Sequence, residues 1–92
     1  MTEQEVKDKA QQITDRTNAI KMYGKNADDN YRAAVRDFEA FLKEYSKDKG
    51  ISYDNTYYPL VNDAYGKIGK NNNKDTDSII TSQLYWFINP PA

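Results

Sequence analysis

Two residue types that carry much of protein chemistry are missing from this sequence of 92 residues, since it contains no cysteine and no histidine. Their absence excludes a disulfide framework, a thiol nucleophile, a zinc site built from Cys and His, and a histidine general base. Apolar runs are short, and none approaches the roughly 18 residues that span a membrane. The N-terminus is polar and shows no signal peptide. We therefore expect a soluble, intracellular protein without a transmembrane segment.

The charges of the two signs nearly cancel, with 13 basic and 14 acidic residues and a formal net charge of −1. A nucleic-acid-binding protein needs a surplus of basic residues on one face, so this balance argues against nucleic acid as a partner. Four basic residues do share one predicted helix, namely Arg32, Arg36, Lys43 and Lys47. Because they alternate with acidic residues, solvated ion pairs one helical turn apart are the simpler interpretation.

Apolar residues recur with helical spacing in four segments. The sequence predicts helices at about residues 3–22, 29–47, 58–68 and 77–88. Thr2 and Glu5 have the spacing of a capping box before the first helix. Strand signals are poor, and the connections between the predicted helices are short. The sequence therefore predicts an all-α fold, an antiparallel four-helix bundle that forms a single domain over residues 1–92.

Two of the connections have features of their own. Residues 51–57 are predicted as a loop, and residues 70–75 as a polar loop that ends in Asp75 or Thr76 as an N-cap. Oxygen-bearing side chains alternate at positions 71, 73, 75 and 77, like the first half of a calcium loop. The mid-loop glycine and the distal glutamate are missing, so a polar loop ending in a cap explains the pattern better. We expect no metal site, no cofactor and no catalytic residue, and hence no enzyme.

The last predicted helix carries more apolar surface than one stripe can bury. Ile80, Leu84, Phe87 and Ile88 cluster on one face of a helical wheel. A second group lies on roughly the opposite face, namely Ile79 and Trp86 with Tyr85 between them. Such a helix either wedges into the core on both sides or uses the second face to hold a partner. The sequence leaves both possibilities open.

Three tyrosines crowd the connection before the third helix, namely Tyr53, Tyr57 and Tyr58. Tyrosine at a loop–helix junction supplies rigid contact area with a usable hydroxyl. The alternative is that these rings roof the bundle and shield a small core from water. The predicted partner-binding residues are Ile79, Tyr85, Trp86, Tyr57, Tyr58 and Tyr53.

Two short segments carry a resemblance to a known family. They are Lys7-x-x-Ala10-Gln-Gln-Ile13 followed by Asn18-Ala-Ile20, and Pro59-Leu-Val-Asn62 at the start of the third helix. With the order of the helices, they make the chain similar to the immunity proteins of class IIa (pediocin-like) bacteriocins, especially the enterocin A immunity type. The Tyr57-Tyr58-Pro59 triplet also resembles the immunity proteins of nuclease colicins, which are far more acidic.

The first resemblance implies an antiparallel four-helix bundle that works in the cytoplasm of Gram-positive bacteria, at or near the membrane. Such proteins give resistance to the antimicrobial peptide by engaging the bacteriocin-bound mannose phosphotransferase permease from the inner membrane face and blocking the lethal pore. Their C-terminal part sets which bacteriocin is recognised, and in this sequence that part is residues 79–92.

Three functions follow from these observations. The first is a non-catalytic bacteriocin immunity protein that acts by protein–protein binding. The alternative is a small phage or mobile-element protein that inhibits a host defence or regulatory complex by binding. The third is a helical nucleic-acid-binding or regulatory module. A homodimer formed through Trp86 and Ile79 would explain the same apolar face without a foreign partner, so both a monomer and a homodimer are consistent with the sequence.

Overall fold

The computed structural model describes residues 1–69 and 73–91, and in this part of the chain the protein is helical without any strand. The described helices are α1 (Glu3–Asn18), α2 (Ala27–Lys49), α3 (Tyr53–Thr56), α4 (Tyr58–Lys67) and α5 (Asn73–Ile88). The prediction of an all-α fold is confirmed. The helix bounds differ from the predicted ones in several places, each for a physical reason.

Helix α1 begins at the predicted capping box but ends four residues before the predicted bound. The Thr2 hydroxyl accepts from the Glu5 amide at 3.1 Å, and the Glu5 carboxylate accepts from the Thr2 amide at 3.3 Å. The helix ends at Asn18 rather than at residue 22. The carbonyl oxygen of Met22 accepts a hydrogen bond from the side chain of Asn73 at 3.3 Å. This contact, which is remote in sequence, holds the segment after α1 in a turn.

Helix α2 is the longest helix, and it extends two residues beyond the predicted bounds at each end. Gly50 stops it, with φ 68° in the left-handed region. The amides of Gly50 and Ile51 both donate to the carbonyl of Ser46, which satisfies an acceptor that the helix end leaves open. Glycine adopts this conformation without the steric penalty that a side chain would bring.

The predicted loop at residues 51–57 contains one additional helical turn, α3. The hydroxyl of Ser52 caps this turn by accepting from the Asn55 amide at 3.3 Å. Four residues are too few to show a hydrophobic period, so the pattern analysis missed the turn. Helix α4 follows directly and carries Pro59 in its first turn, where a missing amide hydrogen costs nothing.

Helix α5 begins at Asn73, four residues before the predicted bound at residue 77. Residues 70–72 of the predicted polar loop lie outside the described residues. Neither Asp75 nor Thr76 is an N-cap, because both lie inside the helix. Asn73 and Thr76 are buried, and their side chains bond to other parts of the chain. These polar residues serve as tertiary contacts rather than as a loop.

The core lies between α5 and the helices around it. Helix α5 packs against α1, α2 and α4. The largest fully buried apolar side chains come from α2, α4 and α5, namely Tyr31, Val35, Phe38, Leu42, Val61, Ile80 and Leu84. None of the described helices has the length and apolar character needed to cross a membrane.

Candidate binding surface at the end of helix five

The predicted core face of α5 is buried at its C-terminal end by an aromatic cluster. The ring of Phe87 meets Phe41 edge-on at 5.1 Å between centroids and Tyr45 at 4.8 Å. Such edge-to-face contacts add roughly 0.5–1.5 kcal/mol each to the burial of the rings. Leu84, one turn earlier, is fully buried. The last turn of α5 is therefore held firmly against α2.

Next to Phe87, two aromatic side chains point outward. Tyr85 is 55% exposed and Trp86 is 57% exposed. Their rings form a T-shaped pair with centroids 5.6 Å apart and planes at 83°. We call these two residues the aromatic pair. The sequence left open whether Trp86 lies in the core or at the surface, and the structure places it at the surface.

A groove of about 600 Å³ runs along one side of the aromatic pair, between α1 and α5. Its lining residues are Gln11, Thr14, Thr81, Ser82, Tyr85, Trp86, Ile88 and Asn89. We call it the α1–α5 groove. None of these side chains is charged, and hydroxyl and amide groups alternate with apolar surface. The lining thus suits an uncharged, partly apolar group.

A second groove, of about 330 Å³, lies on the other side of Trp86. Its lining residues are Glu3, Val6, Lys7, Tyr45, Lys49, Trp86, Phe87 and Pro90. We call it the terminal groove, because it lies where the start of α1 meets the ends of α2 and α5. It contains charges of both signs. Trp86 lines both grooves and so forms the ridge between them.

Ile79 does not share this surface with Trp86. Its side chain is half-buried and packs against the core cluster. The helical wheel placed Ile79 and Trp86 on one spare face, but it could not show how many neighbours α5 has. Because α1, α2 and α4 all contact α5, the buried part of the helix is wider than one stripe.

The fold places Tyr53, Tyr57 and Tyr58, the three tyrosines predicted to bind a partner, in different surroundings. Tyr57 is only 9% exposed and belongs to the core, where its ring lies 6.5 Å from that of Phe87. Burial, and then the nearby Tyr45, raises the pKa of Tyr57. Tyr58 is 52% exposed at the start of α4. The grooves around Trp86 are formed by α1, α2 and α5, so Tyr58 belongs to a different surface.

Tyr53 is half-buried and takes part in a polar cluster between α2, α3 and α4. The Lys43 ammonium lies 5.4 Å from the centre of its ring, and Tyr65 donates to the Glu39 carboxylate at 3.3 Å. Burial, and then the charge of Glu39, raises the pKa of Tyr53 to about 12. The Tyr53 hydroxyl has no hydrogen-bond partner among the described residues. Tyr53 therefore covers part of the core, which is the alternative role that the sequence analysis gave for these tyrosines.

Sequence reasoning missed the polar residues that line the α1–α5 groove. Gln11, Thr14 and Ser82 are ordinary solvent-facing helix residues by their spacing. They become part of a surface feature because α1 and α5 pack side by side, and this packing has no local sequence signal.

Comparisons with known proteins add no relative, because no family, no curated protein and no solved structure matches the chain. Within residues 1–69 and 73–91, no group of three or more metal-ligating side chains could hold a metal ion.

Proposed function

We propose that this protein acts without catalysis, by binding a protein partner through the aromatic pair and the grooves beside it. The observation that carries the proposal is that two adjacent large aromatic side chains on α5 are each more than half exposed. Tyrosine and tryptophan dominate the energy of protein interfaces, where a single one often contributes about 2 kcal/mol or more. A surface that exposes both, with grooves on either side, has the anatomy of a binding site.

Within this class, we propose a bacteriocin immunity protein of the pediocin-like type, acting in the cytoplasm on the bacteriocin-bound mannose permease. Two features support it. The sequence segments named above resemble that family, and Tyr85 and Trp86 lie inside residues 79–92, the part that the resemblance assigns to recognition of the bacteriocin. We also propose the matching architecture, an antiparallel bundle of α1, α2, α4 and α5. The contacts of α5 with the other three helices support this arrangement.

The direct test is protection of a sensitive strain that expresses this protein and is challenged with a panel of pediocin-like bacteriocins. We expect a raised inhibitory concentration for at least one member of the panel. Protection against none of them, with the protein shown to be present and folded, would reject the immunity function.

Variants of the aromatic pair locate the surface. Trp86→Ala and Tyr85→Ala should each abolish or strongly reduce protection, because each removes a central aromatic contact. Tyr23→Ala is the matched control for Tyr85→Ala, since Tyr23 is 85% exposed and lies in the turn between α1 and α2. Equal protection by Tyr85→Ala, Trp86→Ala and the wild type would show that the partner binds elsewhere.

A further inference from the structure

The terminal groove combines apolar surface with a few charged groups. Its uncharged lining residues are Val6, Tyr45, Trp86, Phe87 and Pro90. The other three lining residues are charged, namely Glu3, Lys7 and Lys49. Its volume of about 330 Å³ is near the lower end for ligand pockets, so it holds a few side chains rather than a large ligand. This groove therefore suits a short segment that carries both an apolar and a charged group.

The charge of the terminal groove is positive on balance, because two ammonium groups face one carboxylate. Neither Lys7 nor Lys49 forms an ion pair within residues 1–69 and 73–91. Glu3 lies in the first turn of α1, where the positive end of the helix dipole offsets part of its charge. An anionic group in this groove would thus find two cations that the described part of the chain leaves without a partner.

The carboxylates nearby do not cancel this positive charge. Glu44 and Asp48, near the end of α2, line a separate concavity together with Lys47. Glu44 also accepts from the Lys9 ammonium at 3.1 Å. The Glu5 carboxylate is engaged in the capping box of α1. These acidic groups are therefore occupied elsewhere, and none of them lines the terminal groove.

The two sides of Trp86 differ in charge. The terminal groove carries the two lysines, whereas the α1–α5 groove is lined by uncharged side chains only. A segment that crosses the ridge formed by Trp86 would meet cations on one side and hydroxyl and amide groups on the other. Complementary charge selects partners and fixes their orientation. The surface thus favours a segment that is acidic at one end and uncharged at the other.

From these observations we infer that the partner presents a short acidic segment, in which an Asp or Glu lies next to an apolar or aromatic residue. The carboxylate contacts Lys7 and Lys49 in the terminal groove, and the apolar side chain packs on Trp86. This inference rests on the proposal that the partner is a protein. Trp86 provides most of the affinity, as buried aromatic residues do in interfaces, and the lysines determine which segments bind.

Selection from a phage-displayed library of short random peptides tests the inference on the purified protein. Phage that also bind Trp86→Ala are removed, so the peptides that remain depend on the indole. We expect them to be acidic, with Asp or Glu beside Phe, Tyr or Leu. Synthetic peptides without tryptophan can then be titrated against the fluorescence of Trp86, the only tryptophan of the chain. Their affinity should fall as the salt concentration rises, because salt screens exposed charges.

Charge reversal tests the two lysines directly. Lys7→Glu and Lys49→Glu in one chain should weaken the acidic peptides at least ~10-fold, because like charges then face each other. The same library should yield basic peptides with this variant. The matched control is Lys21→Glu and Lys25→Glu in one chain, since both lysines are exposed in the connection between α1 and α2. This control changes the net charge equally and should select acidic peptides like the wild type.

Trp86-dependent peptides that are neutral or basic would overturn the inference, as would selection of no such peptide or of the same peptides by the charge-reversed variant. Binding of vesicles of phosphatidylglycerol and phosphatidylcholine that requires Trp86, without peptide selection, would assign the surface to lipid instead. The protection assay separates this inference from the proposed function. Protection that survives charge reversal refutes the acidic segment alone, and acidic peptides selected by a protein that does not protect refute the immunity function alone.

Discussion

Replacing Thr76 with valine tests how α5 is held against α4. The Thr76 side chain is fully buried, and its hydroxyl donates to the carbonyl oxygen of Ala64 at 3.0 Å. Ala64 lies near the C-terminal end of α4, where carbonyls lack a partner within the helix. The amide of Ile68, four residues on, donates to Tyr65 instead. The hydroxyl of Thr76 therefore satisfies a carbonyl that the helix itself leaves open.

The expected loss follows from this geometry. Valine has nearly the shape of threonine, so packing is preserved while the donor disappears. Leaving a buried acceptor without its partner costs about 1–3 kcal/mol. We expect the free energy of unfolding of Thr76→Val to fall by this amount, and the melting temperature to fall by roughly 4–8 °C for each kcal/mol. Urea unfolding followed by far-ultraviolet circular dichroism measures both the free energy and its denaturant slope.

Thr17→Val is the matched control. Thr17 is also fully buried, and its hydroxyl donates to the carbonyl of Ile13 at 2.7 Å within α1. That carbonyl is also the regular helical partner of the Thr17 amide, so it stays satisfied when the hydroxyl is lost. We expect a change below about 0.5 kcal/mol. Equal losses in the two variants, or no loss in Thr76→Val, would refute the argument that the open carbonyl of Ala64 decides the cost.

Three further predictions concern buried or strained positions. Ser46→Ala should leave the free energy of unfolding unchanged or raise it by up to about 1 kcal/mol, because the buried Ser46 hydroxyl has no partner within the described residues. Urea unfolding measures this free energy, and a decrease of more than about 1 kcal/mol would contradict the prediction. Gly50→Ala should lower the same free energy by about 1 kcal/mol, because φ of Gly50 is +68° and alanine is strained in this left-handed conformation. A Cβ at this position would meet no atom within 4 Å, so no steric clash adds to the loss. An unchanged free energy would show that the left-handed conformation carries no cost here. Burial, and then the hydrogen-bonded Asp77, raises the pKa of Tyr31 from 10.0 to about 12. Because the folded state favours the neutral phenol, this contribution to stability is complete below pH 10.0 and is lost as pH rises through about 12. Tyr53 also has a pKa raised to about 12, so Tyr31→Phe should reduce, without abolishing, the tyrosinate absorbance gained near pH 12, and an unchanged gain would contradict the assignment.

The helices of this protein follow from its sequence where apolar spacing and end signals agree. The stripe of α2 predicted a buried face, and Tyr31, Phe38 and Leu42 are fully buried. Gly50 lies directly after the last residue of α2, and Pro90 follows the end of α5 by two residues. In these places local chemistry and tertiary packing favour the same conformation, so a single sequence is enough.

The start of α5 could not be predicted in the same way. Asn73 reads as a loop residue, since asparagine favours turns in isolation. In the structure its side chain donates to the Met22 carbonyl at 3.3 Å and to the Asp28 carboxylate at 3.2 Å. These partners are 51 and 45 residues away. No local sequence pattern records partners that lie this far apart along the chain.

The sequence predicted Trp86 as a central residue of the candidate surface, but it did not predict which residues surround Trp86. Trp86 stood out because it added apolar area beyond one helical stripe. Its neighbours on the surface depend on how α5 lies between α1 and α2, which brings in Ser82 and removes Ile79. Spacing along one helix reports which residues share a face, but only the packing of several helices decides which face stays in water.

The two halves of α5 are held by different interactions, and this difference bears on how the aromatic pair can bind. Asn73 and Thr76 tie the first half to other segments through buried hydrogen bonds, whose geometry fixes the register of the helix. Phe87 locks the second half between the rings of α2. Because Tyr85 and Trp86 lie directly before this locked residue, their backbone is already ordered before any partner arrives. Beyond the translational and rotational cost of any association, binding then requires little backbone ordering and only the ordering of two side chains with few rotatable bonds, so more of the free energy of burying the rings is available for affinity.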